Sequence, residues 1–297
     1  MSFQDTSNTP IFKKSTFVAT LAGTLSVIVY HIDKGVNFLE AWMPDPVVFN
    51  VFITFTSLVA GFRTAHALGR YTDAAAYTHK LNACWFDAAS TLIAFCRASK
   101  APEHEVRAFQ HTLIRLVSVL SAFSLESLQA GHGSMTTDKD RYRFEILGAN
   151  DLDGSILRSL RGTNHKVECV FQMIQQLVVE AQITEVMSIA PPILTRSFQE
   201  LGMGLMTYHE AKKLSCVPLP FAYKMITISI LISQALFTPF IMAQFTQGAW
   251  SSFFYSFVGT WLLWYLNGVA DTLDNPFRRE ARHVAHGQPP VVARRSP

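Results

Sequence analysis

Hydrophobic side chains form a long run near the end of the chain. From Met225 to Ala270 there is no Asp, Glu, Lys or Arg, and the polar segment 244–248 divides this run in two. A hydrocarbon core about 30 Å thick needs roughly 20 residues of helix to cross it. Two membrane-spanning helices are therefore predicted, near residues 222–243 and 250–270.

Two further apolar runs lie near the beginning of the chain. Residues 15–32 and 46–62 contain no acidic or basic side chain apart from His31. The first run is long for the apolar core of a signal peptide, and no cleavage pattern of small residues follows it, so a retained helix is predicted. Together with the two later runs, these segments predict four spans.

The second predicted span has no clear end. The stretch 51–71 reads "VFITFTSLVAGFRTAHALGRY", which begins as an apolar span and continues into Arg63, His66 and Arg70 without a proline or a turn cluster. This pattern predicts one helix that leaves the membrane and carries charged residues into water.

Between the second and third spans, apolar and charged residues alternate at helical spacing, as Phe109, Leu113 and Leu116 do. The chain has neither the strict alternation of β-strands nor an internal repeat. The predicted fold is all-α, with four transmembrane helices and a cytosolic helical region. Helices are predicted over 73–97, 103–130, 166–189 and 192–213. The predicted parts are a cytosolic N-terminal segment (1–14), helices 1 and 2 (15–62), the cytosolic region (63–219), helices 3 and 4 (220–270) and a cytosolic tail (271–297).

Composition and charge agree with a membrane protein. Hydrophobic residues make up 49% of the 297 residues and charged residues only 16%, which is apolar for a soluble domain. The net charge of +3 is small, and the Lys and Arg side chains do not gather into a basic stripe. A nucleic-acid partner is therefore not expected. The positive-inside rule predicts both termini in the cytoplasm. The residues that set this orientation are Lys13, Lys14, Arg63, Arg70, Arg278, Arg279 and Arg282.

No common catalytic or nucleotide-binding motif is present in the sequence, so neither an enzyme nor a cofactor is predicted. The segment 151–155, "DLDGS", lacks the glycine position and the final glutamate of a calcium loop, and a surface turn is predicted. His165, Glu168 and Cys169 share a helix face, but this trio is interpreted as surface and core, so no metal site is expected. Structural roles are predicted for the four cysteines, Cys84, Cys96, Cys169 and Cys216.

Three sequence elements resemble the bestrophin family in its bacterial form. They are "GFRTAHALGRYTDA" at 61–74, "PLPFAYKM" at 218–225 and "DTLDNPF" at 271–277. They stand at the end of the second span, the start of the third and the end of the fourth, in the order found in the family. The resemblance extends over almost the whole chain.

The resemblance implies a homopentameric ion channel, with small inorganic ions, the lipid bilayer and four further copies of the chain as partners. The second span of each subunit would line one pore on the five-fold axis. The family's hydrophobic constriction, here called the neck, corresponds to Thr54, Leu58 and Phe62. These residues also share a helix face by their four-residue spacing. Thr54 departs from the usual apolar residue, and a second constriction in the cytosolic part corresponds to Ile193.

Selectivity for anions is the first expectation from the sequence. Arg63, His66 and Arg70 would favour anions such as chloride if they face the pore, although each could instead pair with another helix. Asp73 and Asp87 would offset them. A cation-selective channel of the same family is the alternative.

Calcium control is not expected. Animal bestrophins bind calcium through an acidic run after the Asn-Pro-Phe element, whereas Arg278 and Arg279 follow that element here. Asp271 and Asp274 are predicted to cap or pair locally at the end of the last helix. A secondary transporter or a membrane-anchored scaffold are the alternatives outside the family. The two halves of the chain do not resemble each other, as they would in many transporters.

Overall fold

The structure, a computed structural model, describes residues 10–36, 46–129, 163, 165–274 and 276–277. The described residues form seven α-helices and a short 3₁₀ turn, and no strand occurs among them. The α-helices are α1 (Pro10–Val36), α2 (Pro46–Phe95), α3 (Glu103–Gln129), α4 (Lys166–Ile183), α5 (Pro191–Cys216), α6 (Phe221–Phe245) and α7 (Ala249–Leu273). The all-α prediction is confirmed.

The second helix continues without a break, as its sequence predicts. α2 is 50 residues long and joins the apolar run 46–62 to the helix predicted over 73–97. At 1.5 Å per residue it is roughly 75 Å long, more than twice the thickness of a hydrocarbon core. Most of this helix must therefore lie outside the membrane.

One predicted boundary is wrong. The periodic pattern suggested a helix over 166–189, but α4 ends at Ile183. Glu185 has a φ of 61°, in the left-handed region that stops a helix of L-residues. The side-chain amide of Gln182 donates to the carbonyl of Ile189 at 2.9 Å, and Met187 is fully buried. The apolar residues after 183 thus fill the core from a turn.

The chain divides into two compact units. The first comprises residues 1–71 and 218–297, and within its described part α1, α6 and α7 pack together as a bundle. The bundle buries small and polar side chains, whereas large apolar side chains such as Phe17, Leu236 and Phe254 are exposed. This distribution is typical of helices surrounded by lipid, where small residues allow close packing and hydroxyls join helices. The buried residues include Ser15, Ala19, Ala22, Gly23, Ser26, Thr227, Gln234, Ser252, Ser256 and Thr260.

Two contacts show how closely α1 and α7 approach each other. Gly23 faces the ring of Phe253, and a β-carbon at position 23 would lie 2.8 Å from that ring. One turn away, the hydroxyls of Ser26 and Ser252 are within hydrogen-bond distance. Glycine and serine at these positions let the two backbones come together without leaving a polar group unpaired.

Four described helices are long and apolar enough to cross a membrane, which agrees with the predicted number. They include α1, α2 and α6, but the fourth is α3 and not α7. α7 is rich in Trp, Tyr and Ser, which lowers its hydropathy although residues 249–270 carry no charge. We retain α7 as a span because it packs along α1 and α6, whereas α3 carries Arg115 and Glu126 and belongs to the other unit.

The second unit, residues 72–217, buries large side chains in a core of its own. Trp85, Leu113, Ile174, Leu201 and Tyr208 are almost completely buried in it. Polar groups join its helices as well, since the Tyr208 hydroxyl lies 2.8 Å from the Ser127 hydroxyl. Its limits are near the predicted limits of the cytosolic region, 63–219, and its location in the cytosol stays a prediction.

Candidate functional site

The predicted neck residues lie on an exposed face of α2. Leu58 and Phe62 are 53% and 63% exposed, and Thr54 is exposed one turn earlier. Exposure of large apolar side chains to water is unfavourable in free energy. Such a stripe is therefore expected to face lipid, another protein surface or a dry constriction. The stripe has the chemistry that a neck needs.

The opposite face of α2 is buried within the fold of the chain. Thr56, Ala60, Arg63 and Ala67 are almost fully buried. At about 100° per residue, these four positions cluster roughly on the side of the helix away from 54, 58 and 62. The fold therefore determines which side of α2 is available for a pore or a partner.

The Thr54 hydroxyl is already engaged. It donates to the carbonyl of Asn50 at 2.7 Å, one turn back along the same helix. Only its acceptor lone pairs and its methyl group are then free to face outward. A ring of such residues is less hydrophilic than the residue type alone suggests.

Arg63 is not a free charge at the end of the stripe, which corrects one prediction. Its side chain is 1% exposed, and its guanidinium contacts the side-chain oxygens of Asn267 and Asp271 on α7. Asp274 Oδ2 lies 3.9 Å from the Arg63 guanidinium. The same oxygen is 3.1 Å from the Nζ of Lys224. Of the two alternatives that the sequence left open, a pore charge or an inter-helix pair, Arg63 adopts the second. Asp271 and Asp274, predicted to cap or pair locally, instead pair with Arg63 and Lys224 on other helices.

The other two predicted mouth residues differ from Arg63. His66 is exposed, whereas Arg70 is partly buried and interacts with its surroundings. Each step of four residues rotates the position by about 40° around the helix axis, so residue 70 has turned well away from the neck stripe. Asp73 and Asp87 are both exposed on the continuation of α2. His66 is thus the predicted mouth cation with the greatest access to solvent.

Ile193 lies in the first turn of α5 and is 54% exposed. The preceding Pro191 and Pro192 occupy the first positions of the helix, where a missing N–H costs nothing. An exposed isoleucine beside a rigid helix start is suited to a second apolar constriction, and that role stays a prediction.

Within the part of the chain that the structure describes, no group of three or more His, Cys, Asp or Glu side chains is placed to hold a metal ion. His165 and His209 each approach Glu168 at 3.8 Å as surface pairs. Cys84 and Cys96 are buried, while Cys169 and Cys216 are partly exposed. The segment 151–155 and the residues Arg278 and Arg279 lie outside the described residues.

Arg63, Asp271 and Asp274 form a polar cluster with Asn267 and Lys224. Sequence reasoning missed Asn267 and Lys224. Asn267 is the one amide in the last three turns of α7 and stands four residues before Asp271, so both project from one helix face. That spacing was a usable signal for Asn267. Lys224 could be found only through its tertiary contact, because it is more than 40 residues from its partner.

These features define a membrane protein of several helices, in which one helix presents an apolar stripe and continues far out of the hydrocarbon region. The family model described as Bacterial/Fungal Bestrophin protein matches residues 8–285, nearly the whole chain. The chain belongs to the bestrophin family.

Solved structures share the fold. A crystal structure of a bacterial bestrophin homolog from Klebsiella pneumoniae, carrying one substitution, matches with a TM-score of 0.71 at 14% identity, over 89% of this chain and 90% of that chain. Another crystal structure of a bacterial bestrophin homolog from this organism gives a TM-score of 0.68 at 14% identity, over 89% and 88%. A crystal structure described only as a membrane protein variant gives 0.71 at 16% identity, over 94% and 100%. No match was found among curated proteins.

Proposed function

We propose that this protein is a subunit of a homopentameric ion channel whose pore is lined in the membrane by α2. Membership of the bestrophin family supports the activity. The observation that carries the assignment of the pore is the exposed apolar stripe of Leu58 and Phe62, opposite the face that α2 buries in its own subunit. The proposed activity is passive transport of small inorganic ions and includes no catalytic step.

In this proposal the neck residues form stacked rings around the ion path. Rings of Leu58 and Phe62 hold water and ions back by dewetting when the passage is narrow, without a plug. The Thr54 ring borders this zone, and its hydroxyls are turned toward their own backbone. Ile193 forms the second constriction on the cytosolic side.

We propose selectivity for anions such as chloride. Exposed His66 and partly buried Arg70 follow the neck along α2, and cations near a pore entrance attract anions. The alternative, a cation-selective channel, gains support from the pairing of Arg63, which removes one cation from the entrance and leaves the exposed Asp73 nearby.

The N- and C-terminal segments are proposed to be cytoplasmic, in a bacterial inner membrane. Calcium is not proposed as a gating ligand. Addition of calcium in the micromolar range is expected to leave the current unchanged, since Arg278 and Arg279 would repel a divalent cation after the Asn-Pro-Phe element.

Recordings from purified protein in a planar bilayer test this function. Discrete unitary currents are expected, and in asymmetric potassium chloride the reversal potential should move toward the value for chloride. A reversal potential near that of potassium would establish the cation-selective alternative. A protein that reconstitutes in its native oligomeric state but gives no unitary current would contradict the channel proposal.

A further inference from the structure

Arg63 occupies a particular position in the proposed pore helix. It directly follows Phe62, the last neck residue, yet it is 1% exposed while Phe62 is 63% exposed. Two consecutive residues on a helix point in directions about 100° apart. A side chain fixed at position 63 therefore also sets the direction in which position 62 points.

The contacts of Arg63 are of the kind that fixes a direction. Its two terminal nitrogens contact different residues of α7, Asn267 and Asp271, so the planar guanidinium is held at two points. A two-point contact of this kind restrains rotation as well as distance. Asp274, 3% exposed, completes the cluster and is shared with Lys224 at the start of α6.

By comparison, the other side chains that α2 buries within the first unit are small. Val47, Val51, Phe55 and Leu58 are all more than half exposed, and few of its apolar side chains are buried in its own subunit. The rings of Phe52 and Phe237 meet edge to face at 6.3 Å between centroids, near the other end of the span. A single ring contact contributes less than the loss of one partner of a buried charge pair costs, so it restrains the helix less.

We infer that Arg63 is a positioning residue. Its bridge to Asn267, Asp271 and Asp274 fixes the rotational setting of α2 against α7. Through that setting the bridge determines how far Leu58 and Phe62 project from the subunit. The first part of this inference, the rotational setting of α2, concerns the subunit alone. The second part, the projection of Leu58 and Phe62, rests on the proposed function.

Hydrogen–deuterium exchange of the full-length protein in detergent measures the first part. In Arg63→Gln, amides in the α2 segment 52–66 are expected to exchange about tenfold faster than in the unmodified protein, because the charge pairs that join α2 to Asp271 and to buried Asp274 are lost. Arg63→Lys keeps the charge but not the two-point contact, and is expected to restore part of the protection.

A milder variant keeps the test valid if Arg63→Gln does not assemble. Asp271 is 49% exposed, and Asp271→Asn removes its charge while preserving an oxygen acceptor for the Arg63 guanidinium. A smaller rise in exchange is expected there. Arg107→Gln is the matched control, since Arg107 also pairs with a carboxylate, Glu103, but on the exposed surface of α3.

Exchange that is unchanged in 52–66 in both Arg63→Gln and Asp271→Asn would overturn the inference. So would an equal rise in Arg107→Gln. For the effect on Leu58 and Phe62, the change in unitary conductance or open probability is expected to be largest in Arg63→Gln, smaller in Asp271→Asn and smallest in Arg63→Lys. Variants that exchange faster but carry the same current as the unmodified protein would overturn this second part of the inference. If the unmodified protein carries no current, the proposed function fails while the exchange result still decides the positioning role.

Discussion

Three basic residues that follow the neck along one helix have different surroundings. Arg63 is buried and paired with α7, His66 is exposed, and Arg70 is partly buried. Their residue types predict positive charges near the inner mouth of the pore, with pairing to another helix as the alternative for each. Burial separates these residues, so His66 is the one of the three with the greatest access to solvent.

A fixed positive charge at position 66 is expected to increase the preference for anions. His66→Lys introduces that charge, and His66→Gln is the uncharged comparison. Five added positive charges at the entrance would attract anions and repel cations, so the reversal potential of His66→Lys should lie closer to that of chloride. Bilayer recordings of both variants in asymmetric potassium chloride measure this. Equal reversal potentials for the two variants would contradict a location of residue 66 at the entrance.

At the scale of elements, most helices could be predicted because their signals are local. Charge-free runs identify the spans of α1, α6 and α7, and Pro191 and Pro192 identify the start of α5. The uninterrupted course of α2 followed from the absence of breakers. The end of α4 could not be predicted, because a turn with a left-handed Glu185 keeps apolar residues buried after the helix stops.

Contacts between residues far apart in the sequence limit how much of the candidate site could be predicted. The neck positions could be proposed from spacing and family resemblance, but the burial of Arg63 depends on residues more than 200 positions away. No local pattern distinguishes an arginine that faces solvent from one that pairs with α7. The same limit applies to Lys224.

Helix packing in the first unit predicts a stability effect at Gly23. In Gly23→Ala the added β-carbon would lie 2.8 Å from the Phe253 ring, so α1 and α7 must separate or the ring must shift. Overpacking of this kind costs about 1–3 kcal/mol, and a lower midpoint of thermal unfolding in detergent is expected. Gly259→Ala on α7 is the control, since a β-carbon there meets nothing within 4 Å. Equal midpoints for the two variants would contradict the described packing.

At the scale of the whole molecule, one subunit cannot enclose an aqueous path with α2. The apolar stripe of α2 is exposed in the isolated chain, and a pore needs the same stripe from several copies around one axis. We predict that the detergent-solubilised protein has a mass near five times 33.2 kDa, measured by light scattering with detergent subtracted. A stable monomer or dimer under conditions that preserve helicity would exclude the pentameric pore.

The most direct test of the central claim compares two double variants in the same bilayer recordings. Leu58→Ala/Phe62→Ala is expected to increase unitary conductance or open probability, because smaller side chains widen the neck and reduce dewetting. Phe17→Ala/Leu21→Ala makes the same two replacements at exposed positions of α1, 71% and 60% exposed, and is expected to leave the current unchanged. If both assembled variants conduct like the unmodified protein, the stripe on α2 does not line the ion path.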